Sequence, residues 1–192
     1  IFQITFLNKK SQQKPSSILI VNFSTIKNKE FLLEASNFNF NIIKYDRANP
    51  SIWNRNSFNI IKNSNCIIEN ETTLLDKKSL DIIKNNQNNY LSKIQSIISS
   101  KDLEHFFSLN NLNFWKQIKP LLIKLCKKRF LEAAKEIELA KILLNKYSFS
   151  KILLFNESAM VEQIILQFGK KQKIPVFVLQ HGLFYDSKER LT

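Results

Sequence analysis

His181 stands between Gln180 and Gly182, immediately after the apolar run Val176 to Leu179. A neutral imidazole ordinarily titrates at about 6.5, so it can take a proton from a hydroxyl near neutral pH. The glycine beside it permits close backbone approach. A second polar cluster, Asn156, Glu157 and Ser158, follows another apolar run, Lys151 to Phe155. A carboxylate there could orient the imidazole or bind a hydroxyl. The chemistry open to the pair is deprotonation of an alcohol. The plainer alternative is that Gln180 and His181 only satisfy backbone groups in a turn. Arg47, in the loop Asp46 to Asn56, could hold a phosphate or an acceptor group, pair with Asp46, or lie on the surface.

The elements that must position these residues are legible as a strand, a helix and a strand. Between the two apolar runs, Val161, Ile164, Ile165 and Phe168 fall at i, i+3, i+4 and i+7, one face of a helix. Gly169 and the lysines after it read as the end of that helix, and Pro175 precedes the second strand. A βαβ unit makes the two strands parallel, and open parallel sheets bind ligands outside the carboxyl ends of their strands. The two polar clusters stand at those ends. If the strands are neighbours they lie about 4.8 Å apart; otherwise another strand intervenes.

Upstream the pattern repeats. Ser17 to Phe23 is a near-continuous apolar run, as in a sheet covered on both faces. Ser24 or Thr25 can cap the next helix, whose buried face is Phe31, Leu32 and Ala35. Phe40 to Tyr45 is a second strand, and Pro50 and the asparagines mark the loop after it. Trp53 reads as a buried packing residue or a lid, with a sugar-stacking platform as the alternative. Ser57 to Asn63 is a short helix and Asn65 to Asn70 a weak strand. Thr73 to Ser100 has helical period, with a break expected at Asn85 to Asn89. His105, a lone histidine, reads as a packing residue. Phe114 to Tyr147 is the longest helical region. Its basic, aromatic start either packs on a core or lies on an anionic membrane.

Composition narrows the classes. The chain has 192 residues, which suits one domain or one and a half. Its two cysteines, Cys66 and Cys126, lack metal-ligand spacing and read as buried thiols. With only 2 glycines, neither a GxGxxG nor a P-loop phosphate cradle follows any strand. No apolar run approaches the roughly 18 residues of a membrane span. The start, Ile1 to Phe6, lacks a signal peptide's basic end and cleavage site. The net charge of +13 fits a solvated lysine-rich surface, an anionic membrane face or, less well, nucleic acid.

The segment IPVFVLQHGLFYD resembles the IP-x-x-x-x-QHG segment of GT-B-type glycosyltransferases that build surface and capsular polysaccharides. Related His-Gly motifs occur in CDP-glycerol glycerophosphotransferases. ILLFNESAMVEQIILQFGKKQKIP looks like the family's preceding strand and helix, and YDRANPSIWNRNS resembles an RRP-x-x-W-N segment. Ala48 and Asn49 stand where a second arginine would be expected. The resemblance implies an α/β, Rossmann-like, amino-terminal acceptor-side domain over residues 1–192, with a donor-binding domain beyond Thr192. It implies His181 as the base, with Glu157 assisting, and substrate contacts from Gln180, Gly182, Asn156, Ser158 and Arg47. The partners would be a nucleotide-sugar donor and a glycan or lipid-linked acceptor, with no cofactor or metal and a cytoplasmic location on or near the membrane. The alternatives are a polyol-phosphate transferase or sugar-nucleotide epimerase of the same fold, or a basic nucleic-acid-binding module.

Overall fold

The computed structural model describes residues 16–37, 41–47, 49–110 and 112–179. The described chain forms two compact units, one up to Thr73 and again from Leu143, the other Leu74–Ile142. The first is α/β. Its strands are β1 (Ser17–Val21), β2 (Asn41–Tyr45), β3 (Cys66–Glu69), β6 (Phe149–Leu154) and β7 (Val176–Val178), all parallel, in the order β3-β2-β1-β6-β7. That order is Rossmann-like: the chain works outward from β1 to β3, then returns to pair β6 on the other side of β1. The direction of winding therefore reverses between β1 and β6.

Helices cover both faces, which is why the inner strands lack polar alternation. Ile20, Ile42 and Ile68 point to one face and join Leu32 of α1 (Lys29–Glu34) and Ile60 and Ile61 of α2 (Arg55–Asn63) in one core. Ile152 points to the other face, toward α7 (Met160–Lys171). The second unit is largely helical: α4 (Lys77–Ile98), α5 (Lys101–Phe106), a ribbon of β4 (Ser108–Leu109) and β5 (Leu112–Asn113), and most of α6 (Trp115–Lys146). The short α3 (Glu71–Leu74) leads into it.

Several expectations are corrected. The lysines after Gly169 do end their helix, α7 closing at Lys171, but Gly169 itself lies inside the last turn and Lys173, not the glycine, takes the left-handed turn at φ 58°. A side chain at 169 would lie 2.9 Å from Ile152 Cδ1 and 3.0 Å from Val176 Cγ2, so the glycine sets how closely α7 meets the sheet. Helix α4 runs unbroken through Asn85–Asn89, where the Gln87 amide donates to the Leu131 carbonyl at 2.9 Å; tertiary contact overrides weak propensity. Neither Ser24 nor Thr25 is the N-cap of α1; that position is Asn28, and the Thr25 hydroxyl donates to the Ser51 carbonyl instead. Phe31 is exposed while Leu32 and Ala35 are buried. Trp53 is 62% exposed, because the loop before α2 is held by a capping box between Asn54 and Ser57 rather than by the indole. The strand reading of Asn65 to Asn70 holds as β3. The segment before Ser16, and Phe40 at the expected start of the second strand, lie outside the described residues.

The tight seat of Gly169 yields a prediction. Gly169→Val should destabilise the fold by about 1–3 kcal/mol through overpacking against fully buried Ile152. Urea unfolding measures it, and an unchanged midpoint would show that α7 can lift from the sheet without cost.

Candidate functional site

The sheet's carboxyl edge gathers the polar residues. Asn22 follows β1 with φ 55°, a left-handed conformation that asparagine tolerates better than most residues. Its amide oxygen accepts from the Arg47 backbone N–H at 2.8 Å. Its amide nitrogen donates to Glu162 Oε1 at 2.7 Å. One side chain thus ties the exit of β2 to the first turn of α7, at the point where the winding reverses. Glu162 is buried, and its charge sits at the favourable amino-terminal end of a helix dipole. Its second oxygen, Oε2, is buried with no hydrogen-bond partner.

Beside this lies a buried ion pair. Lys44 is the penultimate residue of the buried strand β2 and is fully buried. Its ammonium donates to the Phe23 carbonyl and to the Asp46 carboxylate. Ser51 Oγ donates to the same carboxylate oxygen at 2.6 Å. Burial pushes the Asp46 carboxyl above its ordinary range, opposed by the charge and hydrogen bond of Lys44 and by Ser51. Burial pushes the Cys66 thiol up to about 12. It is therefore a protonated core group rather than a nucleophile, as expected. On the other face of the sheet, Glu69 accepts from Thr73 Oγ1 at 2.6 Å, from Lys146 Nζ at 2.7 Å and from the Tyr147 hydroxyl. Burial, and then the bond to Glu69, raises the Tyr147 pKa.

Strands β6 and β7 are direct neighbours, so no strand intervenes between them. Leu154 pairs with Val178, and the Leu179 amide donates to the Leu154 carbonyl at 2.9 Å. Glu157 lies in the exposed bend after β6, its own carbonyl accepting from the Gln163 side chain. Asn156 Oδ1 accepts from the Ser158 N–H at 2.6 Å and the Ser158 hydroxyl at 2.9 Å. These two residues thus shape the turn into α7, the structural role that competes with substrate contact. Arg47 pairs with Glu71 at 3.1 Å rather than with Asp46. Gln180, His181 and Gly182 lie outside the described residues. His105 is exposed on α5, so it does not have the packing role expected of it.

Sequence reading passed over Asn22, Lys44 and Glu162. Each left a trace: an asparagine just after an apolar strand, a lysine inside NIIKY, and an acid in a helix's first turn. Fold and edge together define a doubly wound α/β unit whose polar groups converge beside β1 and β6. Nothing among protein-family models, curated proteins or solved structures matches the chain. Among the described residues, no group of acidic, histidine and cysteine side chains could hold a metal ion.

Asp46→Asn should destabilise the protein by about 3–5 kcal/mol, since it strands a charged Lys44 in the core. Adding Lys44→Met should recover most of that loss. Denaturant titration of both variants checks it; a single variant as stable as the parent would mean that Lys44 has another counter-charge.

Proposed function

We propose that the α/β unit is the acceptor-side half of a GT-B-type glycosyltransferase acting on a surface-glycan or lipid-linked acceptor. One observation carries the reading. In sequence, Glu157 and His181 each follow by three residues a member of the register pair Leu154–Val178, which joins adjacent parallel strands about 4.8 Å apart. The strands that precede the two sequence clusters therefore end side by side, at the edge where such sheets bind ligands. The family resemblance supports the same pairing.

In this reading the acceptor hydroxyl gives its proton to the His181 imidazole as its oxygen forms a bond to the donor's anomeric carbon. The bond from that carbon to the phosphate oxygen breaks, and the nucleotide leaves with the electron pair. The exposed Glu157 carboxylate orients the imidazole or accepts a hydroxyl. Arg47, already engaged by Glu71 and Asn22, contributes to the shape of the edge; a phosphate there would have to displace Glu71. The donor belongs to a second domain.

In the two-domain enzyme, His181→Ala should slow transfer by about 100-fold or more while leaving donor affinity and melting temperature near the parent's. Glu157→Gln should cost less. A folded His181→Ala enzyme with near-normal turnover would end the assignment. Residues 1–192 alone should transfer no sugar, and turnover by them would refute the need for a second domain.

A further inference from the structure

The start of α6 is apolar on two sides. Trp115 is buried with Ile94 and Ile98, and Leu122, Ile123 and Cys126 pack against that cluster. Of the two readings of this start, core packing holds for Trp115: the indole belongs to the core of the helical unit, stacked on Phe107 with ring centroids 5.4 Å apart. A second stripe remains outside. Phe114, Leu121 and Leu125 recur at helical spacing and are 44%, 70% and 56% exposed. The ribbon leading into α6 extends it. Leu109 and Leu112 are register partners, so they share one side of the ribbon, and both are more than half exposed. Phe106, at the end of α5, is 78% exposed.

The charge around this surface is predominantly positive, with acids only at its margins: Glu104, which accepts from Asn113 of β5 at 3.1 Å, and Glu132, 3.6 Å from Arg129. From His105 to Leu131 the sequence holds Lys116, Lys119, Lys124, Lys127, Lys128 and Arg129 and no acidic residue. Lys124 and Lys128 each follow a stripe leucine by three residues, which puts them on its flank. Large exposed apolar side chains rimmed by charge mark a contact surface. A symmetric contact with a second copy would set these cations against their own kind. A nucleic acid would satisfy the cations but leave the leucines in water, and the residue best suited to stack on a base, Trp115, is buried. An anionic bilayer satisfies both: leucine and phenylalanine enter the acyl boundary while lysine stems reach the phosphates.

We propose that the β4–β5 ribbon and the first turns of α6 form a docking surface for anionic phospholipid membrane. No helix among the described residues is long and apolar enough to cross a membrane, so this contact would be peripheral. The proposal is independent of the transferase reading. Its test is flotation with vesicles of phosphatidylcholine, alone or with a third phosphatidylglycerol. The protein should bind the anionic vesicles, release with added salt, and ignore the neutral ones. The pairs Lys124→Glu with Lys128→Glu, and Leu121→Ser with Leu125→Ser, should each weaken binding about tenfold or more. All four positions are exposed, so unchanged circular-dichroism melting should show that the fold survives. Equal binding to both vesicle types would overturn the proposal. So would full binding by the leucine variant, competition by RNA, or a soluble dimer that the leucine variant dissolves.

Discussion

The ion pair between Lys44 and Asp46 constrains more of the α/β unit than any other single interaction. A lysine within a fully buried strand is tolerated only with its charge matched and its donors used. Meeting that need draws in the Phe23 carbonyl after β1, the carboxylate at the end of β2, and Ser51 in the loop beyond. Thr25 then holds Ser51 through its carbonyl. The loops leaving β1 and β2 are thereby fixed to each other from beneath. Asn22 fixes them again from above, through the Arg47 amide, and carries the link across to α7. The edge where a ligand would bind is thus built on polar bonds whose members are mostly out of water, a setting that rigidifies a site.

Rigidity at that edge bears on chemistry. A general base works only if its partner hydroxyl is held within hydrogen-bond reach. Two loops that leave adjacent parallel strands start from a spacing set by the sheet itself. The close seating of α7 over Ile152 and Val176, which Gly169 permits, keeps those strands and their connecting helix in one relation. Function placed on such ends inherits the precision of the backbone ladder.

Much of the sheet was legible because parallel strands buried on both faces must be apolar throughout. Ser17–Val21, Asn41–Tyr45 and Phe149–Leu154 fall close to where their apolar runs predict, and so does the helix from Met160. The polar cluster after β6 was legible for the same reason: polarity appears where the strand stops. What could not be read were contacts between residues far apart in sequence. Asn22 meets Glu162 across 140 residues, and neither carries a local signal of the other. Gly169 and Asn85–Asn89 misled because glycine and asparagine are weak helix formers in isolation, whereas here close packing and the Gln87 bond decide. Trp53 misled because size suggests burial, while the loop's own capping box made the indole unnecessary to its shape.

The central claim is that the loops after β6 and β7 form one site, with Glu157 opposite His181. Disulfide trapping tests it most directly. In a chain carrying Cys126→Ser, with Cys66 sealed in the core, Glu157→Cys and His181→Cys can be introduced together and mild oxidant added. If the two loops form one site, their side chains come within disulfide reach, so a 157–181 crosslink should form rapidly in the folded protein. Persistence of both thiols under oxidant, with the fold intact, would place the two loops apart and contradict the site.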